Sequence, residues 1–321
     1  MPLPQASNVH IDQFLTDLSV GYLQAPSHFV ADQVAPLINS AKRSNKIPSF
    51  NMGDLYRDEM SVRDAGAESA GGGYRVSNSL FFCDVWASHI DVDDMTAAAA
   101  DAPFELYSDA TRVLVQRERI KREVRFAADL FTTSLWTGGT ANDPTAASLS
   151  AAWDDPSSTP IEDIHDQSNA ILISTGYMPN TLVVNNLGWN ALKNHPDIVD
   201  RVKHTSGDVV TEDIVARLLG VERVLVCRAV RNTAAEGVAA SMSAVAGNHA
   251  LLVYVAPAPG MWQPSGAYTF VWSGYPGSTD GRLIRRFRLE RNRAERIEIE
   301  AAFDQKLIDG EFGVLIQSVA S

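Results

Sequence analysis

The sequence predicts an α+β fold built from separable pieces. Three observations predict it. A long amphipathic helix occupies about Ser108 to Trp136, strands and helices alternate from about Ile161 to Ala256, and a charged β-hairpin lies near the C-terminus. With 321 residues, 45% of them hydrophobic, the chain is long enough to bury a sizeable core.

An N-terminal arm comes first. "VADQVAPLIN" reads as a short helix or an extended segment broken at Pro36, and "SAKRSNKIPSF" as a polar connector. Met52 to Val92 is long, polar and glycine-rich, with too few apolar residues for a core of its own. We read it as two strand-like limbs, one before Gly71-Gly72-Gly73 and one after. Tyr74, Val76, Leu80, Phe82 and Val85 give the return limb partial alternation. A loop this long must recover about 1–2 kcal/mol per ordered residue. Structureless loops beyond about 12–15 residues are uncommon in compact domains unless they are functional. The segment is therefore expected to find its burial on another molecule.

The long helix follows Pro103, with Ser108 or Asp109 as its cap and Gly138-Gly139 as its end. Its apolar stripe is read as Val113, Ile120, Val124, Ala127, Phe131 and Leu135. Glu118 and Arg122 are an i,i+4 surface pair. At about 1.5 Å per residue this helix would be about 42 Å long.

A second helix, "IEDIHDQSNAILIST", is apolar at Ile161, Ile164, Ala170 and Ile171. "TLVVNN" is a short buried strand. "LGWNALKNHPDIVDRV" is helix interrupted at Pro196, and "EDIVARLLG" is helix between Thr211 and Gly220. "RVLVCRAV", "ALLVYVA" and "AYTFVW" read as buried strands of this α/β unit. In "LIRRFRLERNRAERIEIEAAFDQKLI" the second limb alternates Ile297, Ile299, Ala301 and Phe303 against Glu298, Glu300 and Ala302, with the turn near Asn292. "FGVLIQSV" is the last strand.

Composition excludes several function classes. The net charge of −12 opposes tight wrapping of nucleic acid, which needs clustered Lys and Arg. Two cysteines, Cys83 and Cys227, support neither a disulfide framework nor a zinc cluster, and a reducing compartment is expected. No apolar run reaches the roughly 20 residues of a membrane span, and the N-terminus lacks the pattern of a secretory signal. Phosphate loops, dinucleotide fingerprints and hydrolase motifs are absent from the sequence, so no enzyme activity and no cofactor are expected. Cys227 reads as a buried strand residue, although His249 has the chemistry to pair with it. "HIDVDD" puts His89, Asp91 and Asp93 on one side of a strand beside Asp94. Without the glycine and bidentate glutamate of a calcium loop it reads as a solvated acidic turn rather than a metal site. "NHPD" resembles the loop of J-type co-chaperones by chance, since no basic helix precedes it.

Charge is concentrated on three segments. Arg57, Asp58, Glu59, Arg63, Glu68 and Arg75 lie on the polar loop. Arg117 and Arg119 lie on the long helix among glutamates. Arg285, Arg286 and Arg288 lie on the C-terminal hairpin, among Glu290, Glu295, Glu298 and Glu300. Mixed charge of this kind suits contacts between subunits, and these eleven residues are the candidate assembly residues.

Taken in order, "GDLYRDEM", "AGAESAGGGYRVSNSLFFCDVWA", "YSDATRVLVQRERIKREVRFA", "PNTLVVNNLGWNALKNHPDIVDRVKHT", "LLGVERVLVCRAVRNTAAEG", "HALLVYVAPAPG" and "RIEIEAAFDQKLI" resemble the major capsid proteins of tailed bacteriophages and prophages, with the Hong Kong 97-type shell fold. The resemblance runs from about Phe29 to Ile316. It implies an N-terminal arm over residues 1–44, an extended E-loop hairpin over 45–92, a P-domain with the spine helix over 93–176, an A-domain over 177–266, and a return to the P-domain over 267–321 with the hairpin and last strand. It implies a homo-oligomeric shell of hexamers and pentamers around double-stranded DNA bound without sequence specificity, located in the virion and assembled in the host bacterial cytoplasm. Portal and decoration proteins, and a separate scaffold where there is one, are the partners the resemblance allows, and no membrane is involved. An encapsulin compartment and a soluble α/β enzyme are the alternatives. Some members fuse a scaffolding domain ahead of the arm; the short N-terminal segment here implies a separate scaffold or none. Some also weld subunits through an E-loop lysine. No lysine occurs between Lys46 and Lys121, so the loop's cations are expected to be Arg57, Arg63 and Arg75, and the shell non-covalent.

Overall fold

The computed structural model describes residues 23–100, 105–139, 152–205, 210–260, 263–278 and 281–320. Pro103 of the proposed helix start lies outside them. After a 3-10 turn at Pro26–His28 come α1 (Ala31–Val34) and β1 (Leu37–Ser40), divided at Pro36. Next are β2 (Ser44–Phe50), α2 (Met52–Leu55), β3 (Val76–Phe82), β4 (Asp84–Asp93), α3 (Asp94–Ala99) and the long helix α4 (Leu106–Asp129). The central part holds α5 (Pro160–Thr175), β5 (Thr181–Asn185), α6 (Asn186–Asn194), α7 (Pro196–Thr205), α8 (Glu212–Leu219), β6 (Arg223–Cys227), β7 (Val230–Asn232), β8 (Met242–Ala244) and β9 (Ala250–Val253). The chain returns through β10 (Ala267–Trp272), β11 (Arg282–Leu289), β12 (Ala294–Leu307) and β13 (Gly313–Ile316).

One unit is built on a four-stranded sheet of order β13-β9-β5-β6, parallel only between β5 and β6. Local chemistry sets its helices. The Asn185 side chain accepts from Gly188 N at 2.7 Å and turns β5 directly into α6. Pro196 opens α7, where it lacks nothing by having no N–H. Gly176 and Gly220 end α5 and α8 with φ of 75° and 71°, the left-handed conformation a side chain resists. Thr211 occupies the cap position of α8, but its side chain makes no capping bond. Leu182 and Val184 of β5 face Ile164, Ile171, Leu192 and Val215 of the helices. Val183 faces the opposite way, toward Phe126, Leu130 and Trp136. Covered on both faces, β5 reads as an unbroken apolar run.

The second unit is a five-stranded sheet, β1-β10-β12-β11 with β4 also on β12. The first eight residues of β12 lie between β11 and β4, and its last five pair with β10. α4 covers one face, burying Ala110 and Leu114 against Val92, Ile297 and Ile299. The strand alternation and the turn at 290–293 follow the expected pattern.

Several expectations are corrected. α4 is 24 residues long and stops at Asp129. Phe131 and Trp136 are buried beneath the four-stranded sheet, and a straight helix would carry them past it. The Trp136 indole donates to Leu130 O at 2.7 Å and closes the turn. The helix starts after Glu105 with no side-chain cap, and Asp109 pairs with Arg112 instead. Its buried stripe is Ala110, Leu114, Glu118, Glu123 and Phe126, whereas Val113 is exposed. Glu118 and Arg122 do pair, at 2.9 Å, but Glu118 is buried. The strand at 267–272 leaves the α/β unit for the five-stranded sheet, and β13 does the reverse, pairing with β9 rather than with the hairpin. The outgoing limb of the loop is Ser44–Phe50, within the supposed connector. β4 belongs to the body, so the projecting hairpin ends at Phe82 rather than Val92. Lys46 therefore sits on the hairpin, at its stem opposite Leu80.

Candidate assembly surfaces

The hairpin pairs Ser44 with Phe82 through Phe50 with Val76. Pro48 is tolerated because β2 has no second neighbour needing its N–H. One face carries Phe81, stacked on Phe270 with ring centroids 4.3 Å apart. The other carries Val76, Leu80 and Phe82, all exposed. A single carboxylate closes the tip. Asp54 accepts the Arg75 guanidinium at 2.8 and 3.0 Å and the Arg75 N–H at 3.1 Å, with Arg57 also 3.1 Å away. The Arg75 hydrogen bonds hold the Asp54 carboxyl below its ordinary range. The Tyr56 hydroxyl donates to Thr175 O at 2.9 Å and ties the tip's first residues to the end of α5. Beyond it the chain runs without a ladder to Arg75. Met60 and Val62 are 95% and 98% exposed. Glu59 lies 3.6 Å from Arg57, and Arg63 donates to Ala67 O. Asp58 and Glu68 are exposed.

On α4 the charges divide. Glu118 takes both Arg122 and Arg282, and Arg122 reaches Asp32 at 3.0 Å. Arg117 has only Ser88 Oγ at 3.4 Å, and Arg119 makes no ion pair among the described residues. Lys121 Nζ stands 3.8 Å above the Trp86 ring, where burial lowers its pKa. Arg117, Glu118 and Lys121 wall a cleft of about 300 Å³ whose floor is Trp86, Ile299, Ala301 and Phe303.

Glu123 is 1% exposed and is one of the residues the apolar pattern passed over. It accepts from the Val30 and Ala31 N–H groups at 3.0–3.2 Å and from the Cys227 thiol at 3.3 Å. One carboxylate thus fastens α1, α4 and β6 together. Burial raises its pKa against the pull of those donors.

On the C-terminal hairpin, Arg285 pairs with Glu300 at 2.6 Å, Arg286 with Glu295, and Arg288 with both oxygens of Asp94. Arg286 also lies 3.8 Å above the Tyr107 ring. The structure thus gives three of the candidate assembly arginines partners in their own chain. Asp91 takes Arg296 at 2.7 and 2.8 Å, and Asp93 caps α3 through Met95 N and Thr96 N. The carboxylates of the "HIDVDD" segment are occupied by these partners.

The geometry also speaks to nucleophilic chemistry. His195 is buried beside a cavity of about 390 Å³, with Nε2 3.1 Å from Ser158 Oγ. Ser158 donates to Asp155 O at 2.8 Å, and His195 Nδ1 accepts from Asp197 N at 3.3 Å. The Asp197 N–H occupies Nδ1 and the Ser158 hydroxyl already donates to Asp155 O, so serine and histidine are not set for proton transfer between them. The Cys227 thiol is pushed up to about 12 by burial beside Glu123. His249 accepts from Ser318 N instead of approaching it.

The chain is a two-sheet body crossed by a long helix, with a coreless hairpin projecting from it. No protein-family model matches the chain. It is 24% identical over 319 residues, 96% of both chains, to the major capsid protein of Burkholderia phage BcepMu. Among solved structures, a phage-related protein from Bordetella bronchiseptica RB50 superposes with a TM-score of 0.69 at 23% identity, covering 93% of this chain and 94% of the other. The mature capsid of bacteriophage PhiM1 gives 0.59 at 10%, covering 96% and 91%. The SrpI encapsulin of Synechococcus elongatus PCC 7942 gives 0.52 at 9%, covering 98% and 95%. The chain carries the Hong Kong 97-type α+β fold of phage capsid proteins.

Proposed function

We propose that this chain is the major structural subunit of a tailed-phage head, assembling as hexamers and pentamers around packaged double-stranded DNA. The observation that carries the reading is the hairpin. Val76, Leu80 and Phe82 lie exposed on a ladder only two strands wide, which a single chain in water does not stabilise by itself. End-to-end similarity to a phage major capsid protein supports it. In this reading residues 44–82 are the E-loop, the five-stranded sheet with α4 is the P-domain, and the four-stranded sheet with α5–α8 is the A-domain. The eleven charged residues singled out in the sequence then serve two ends. Arg57, Glu59, Arg63, Arg75, Arg285, Arg286 and Arg288 have partners in their own chain and stiffen the subunit, while Arg117, Arg119, Asp58 and Glu68 face neighbours. The role is structural, in the virion, after assembly in the host cytoplasm.

Electron microscopy of the purified chain, with its scaffold supplied, tests this directly. Capsomers or closed shells are expected, and particles from infected cells are expected to hold nuclease-resistant DNA. A monomer under all conditions would count against the assignment; shells holding a protein cargo and no DNA would move it to the encapsulins. Lys46 is the hairpin's lysine and lies at the stem, away from the tip. Mature particles boiled in detergent should therefore release one band near 34.9 kDa. A ladder surviving reduction would show covalent linkage.

A further inference from the structure

The projecting hairpin holds its own body at both ends, once in each unit. At the stem, Phe81 stacks on Phe270 of β10 in the five-stranded sheet. At the tip, the Tyr56 hydroxyl donates to Thr175 O at 2.9 Å, where α5 of the four-stranded unit ends. The two contacts differ in kind. The stem is a ladder of seven pairs with a buried aromatic ring. The tip contact is one hydroxyl on a carbonyl of a helix's last turn, a group with no partner inside its helix. Gly176 ends α5 in the left-handed conformation and sets no side chain there. The Tyr56 ring lies 3.4–3.7 Å from where its Cβ would stand. Tyr56 is 58% exposed, so much of its ring is already in water. The tip also keeps its shape without this contact. Asn51 caps α2 by accepting from Asp54 N at 3.1 Å, Asn51 N donates to Arg75 O at 3.0 Å, and Asp54 gathers Arg57 and Arg75.

We infer that Tyr56 on Thr175 is a releasable clasp: it holds the hairpin tip on the subunit's own four-stranded unit before assembly, and it is open in the assembled shell. This rests on the shell reading and names what restrains the hairpin in the unassembled subunit. Because the hairpin spans both units, a shift of one unit against the other loads its weakest joint, and that joint is the single hydrogen bond at the tip. Release breaks no ladder pair and none of the Asp54 ion pairs, so the tip leaves as a rigid piece. One hydrogen bond in contact with water weights the closed state by only about 2–10-fold. The clasp therefore delays the hairpin without trapping it, and burial of the exposed Val76, Leu80 and Phe82 outweighs it.

Tyr56→Phe keeps the ring and removes the hydroxyl. Limited trypsin digestion of unassembled subunits reads the clasp at Arg57, the residue next to Tyr56, with Arg63 further along the tip as the internal control. Cutting at Arg57 relative to Arg63 should rise about 2–10-fold in the variant, at an unchanged urea midpoint. The initial rate of shell formation, followed by light scattering, should rise by a similar factor. Unchanged cutting, or shells forming no faster than the parent's, would overturn the inference. The parent chain supplies a second arm. In an electron cryo-microscopy map of its particles, the Tyr56 hydroxyl should stand beyond hydrogen-bond distance, about 3.5 Å, from Thr175 O of its own chain. A map that keeps the contact would reject the clasp and leave the shell reading standing. A parent chain that forms no particle under any condition would remove the shell reading, and the clasp's release with it.

Discussion

β5 and β3 are both short strands rich in apolar residues, yet they have opposite fates. All five residues of β5 are buried, whereas β3 buries one of its seven. β5 is sandwiched between the helices α5–α8 and the end of α4, so its stabilisation is complete within one chain. β3 has β2 as its ladder partner and sets Val76, Leu80 and Phe82 on one face with Asn78, against Ser77, Ser79 and Phe81 on the other. Within the chain this apolar face stays exposed apart from the Arg43 guanidinium, 4.4 Å from the centre of the Phe82 ring. The four-stranded unit therefore sets whether the subunit folds, and in the proposed shell the hairpin would set whether folded subunits combine.

Substitutions can break this contrast. The largest stability effect is expected for Leu182→Ala. It empties a fully buried site under four helices and should cost about 2–5 kcal/mol, read from the urea midpoint. A loss under about 1 kcal/mol would mean that the four-stranded core is not where stability resides.

Glu123→Ala comes next. It strands two backbone N–H groups and a buried thiol, and about 1–3 kcal/mol should be lost. The pH profile sharpens this. Burial raises the folded pKa of Glu123 above its unfolded value, so its contribution is greatest below the unfolded pKa and declines as pH rises through the folded one. The stability of the parent relative to Glu123→Gln should fall across that window, and a flat difference would show that Glu123 is not the group titrating.

Asp91→Asn should cost about 1 kcal/mol at neutral pH, by removing the carboxylate that holds Arg296 across β4 and β12. The Arg296 hydrogen bond depresses the folded pKa of Asp91, so this stability is present above its unfolded pKa and is lost as pH falls through the folded one. Parent and variant melts should converge in acid. If they stay apart, the pair is not what the substitution removed.

The smallest stability effect is expected from the largest deletion. Replacing Glu59–Gly73 with a short Gly-Ser linker should leave stability within about 0.5 kcal/mol and abolish shells. Unfolding on deletion would make the tip part of the core and erase the contrast with β5.

What could be read from the sequence follows the same division. β5, the break at Pro196, the glycine ends of α5 and α8, and the turn near Asn292 carry local signals, and the structure has each of them. The outgoing limb, Ser44–Phe50, carries no strand pattern of its own, since it holds a proline and polar residues and is a strand only by pairing with β3. β13 pairs with β9 rather than with the hairpin, and the pattern of β10 alone does not choose between the sheets, because a buried strand's pattern does not say which sheet buries it. The arginine and glutamate mixture on the C-terminal hairpin was legible, since cross-strand register brings Arg285 to Glu298 and its neighbour Glu300. Glu123 left no signal at all, since its partners are two backbone amides 92 and 93 residues away and a thiol 104 away. The cleft beneath Lys121 needs Trp86 and Phe303, from distant strands, on one floor.

β12 gives the molecule a direction in which it is hard to tear. Over its first ten residues it is held on one side by β4 in ten register pairs and on the other by β11 in eight. The hydrogen bonds of an antiparallel ladder run across the strands. Tension along β12 must then shear every rung together, whereas a pull across the sheet peels them one at a time. A wall of such subunits, inflated from within, would be toughest where these strands lie along the stretched surface, and would yield first at seams that cross them.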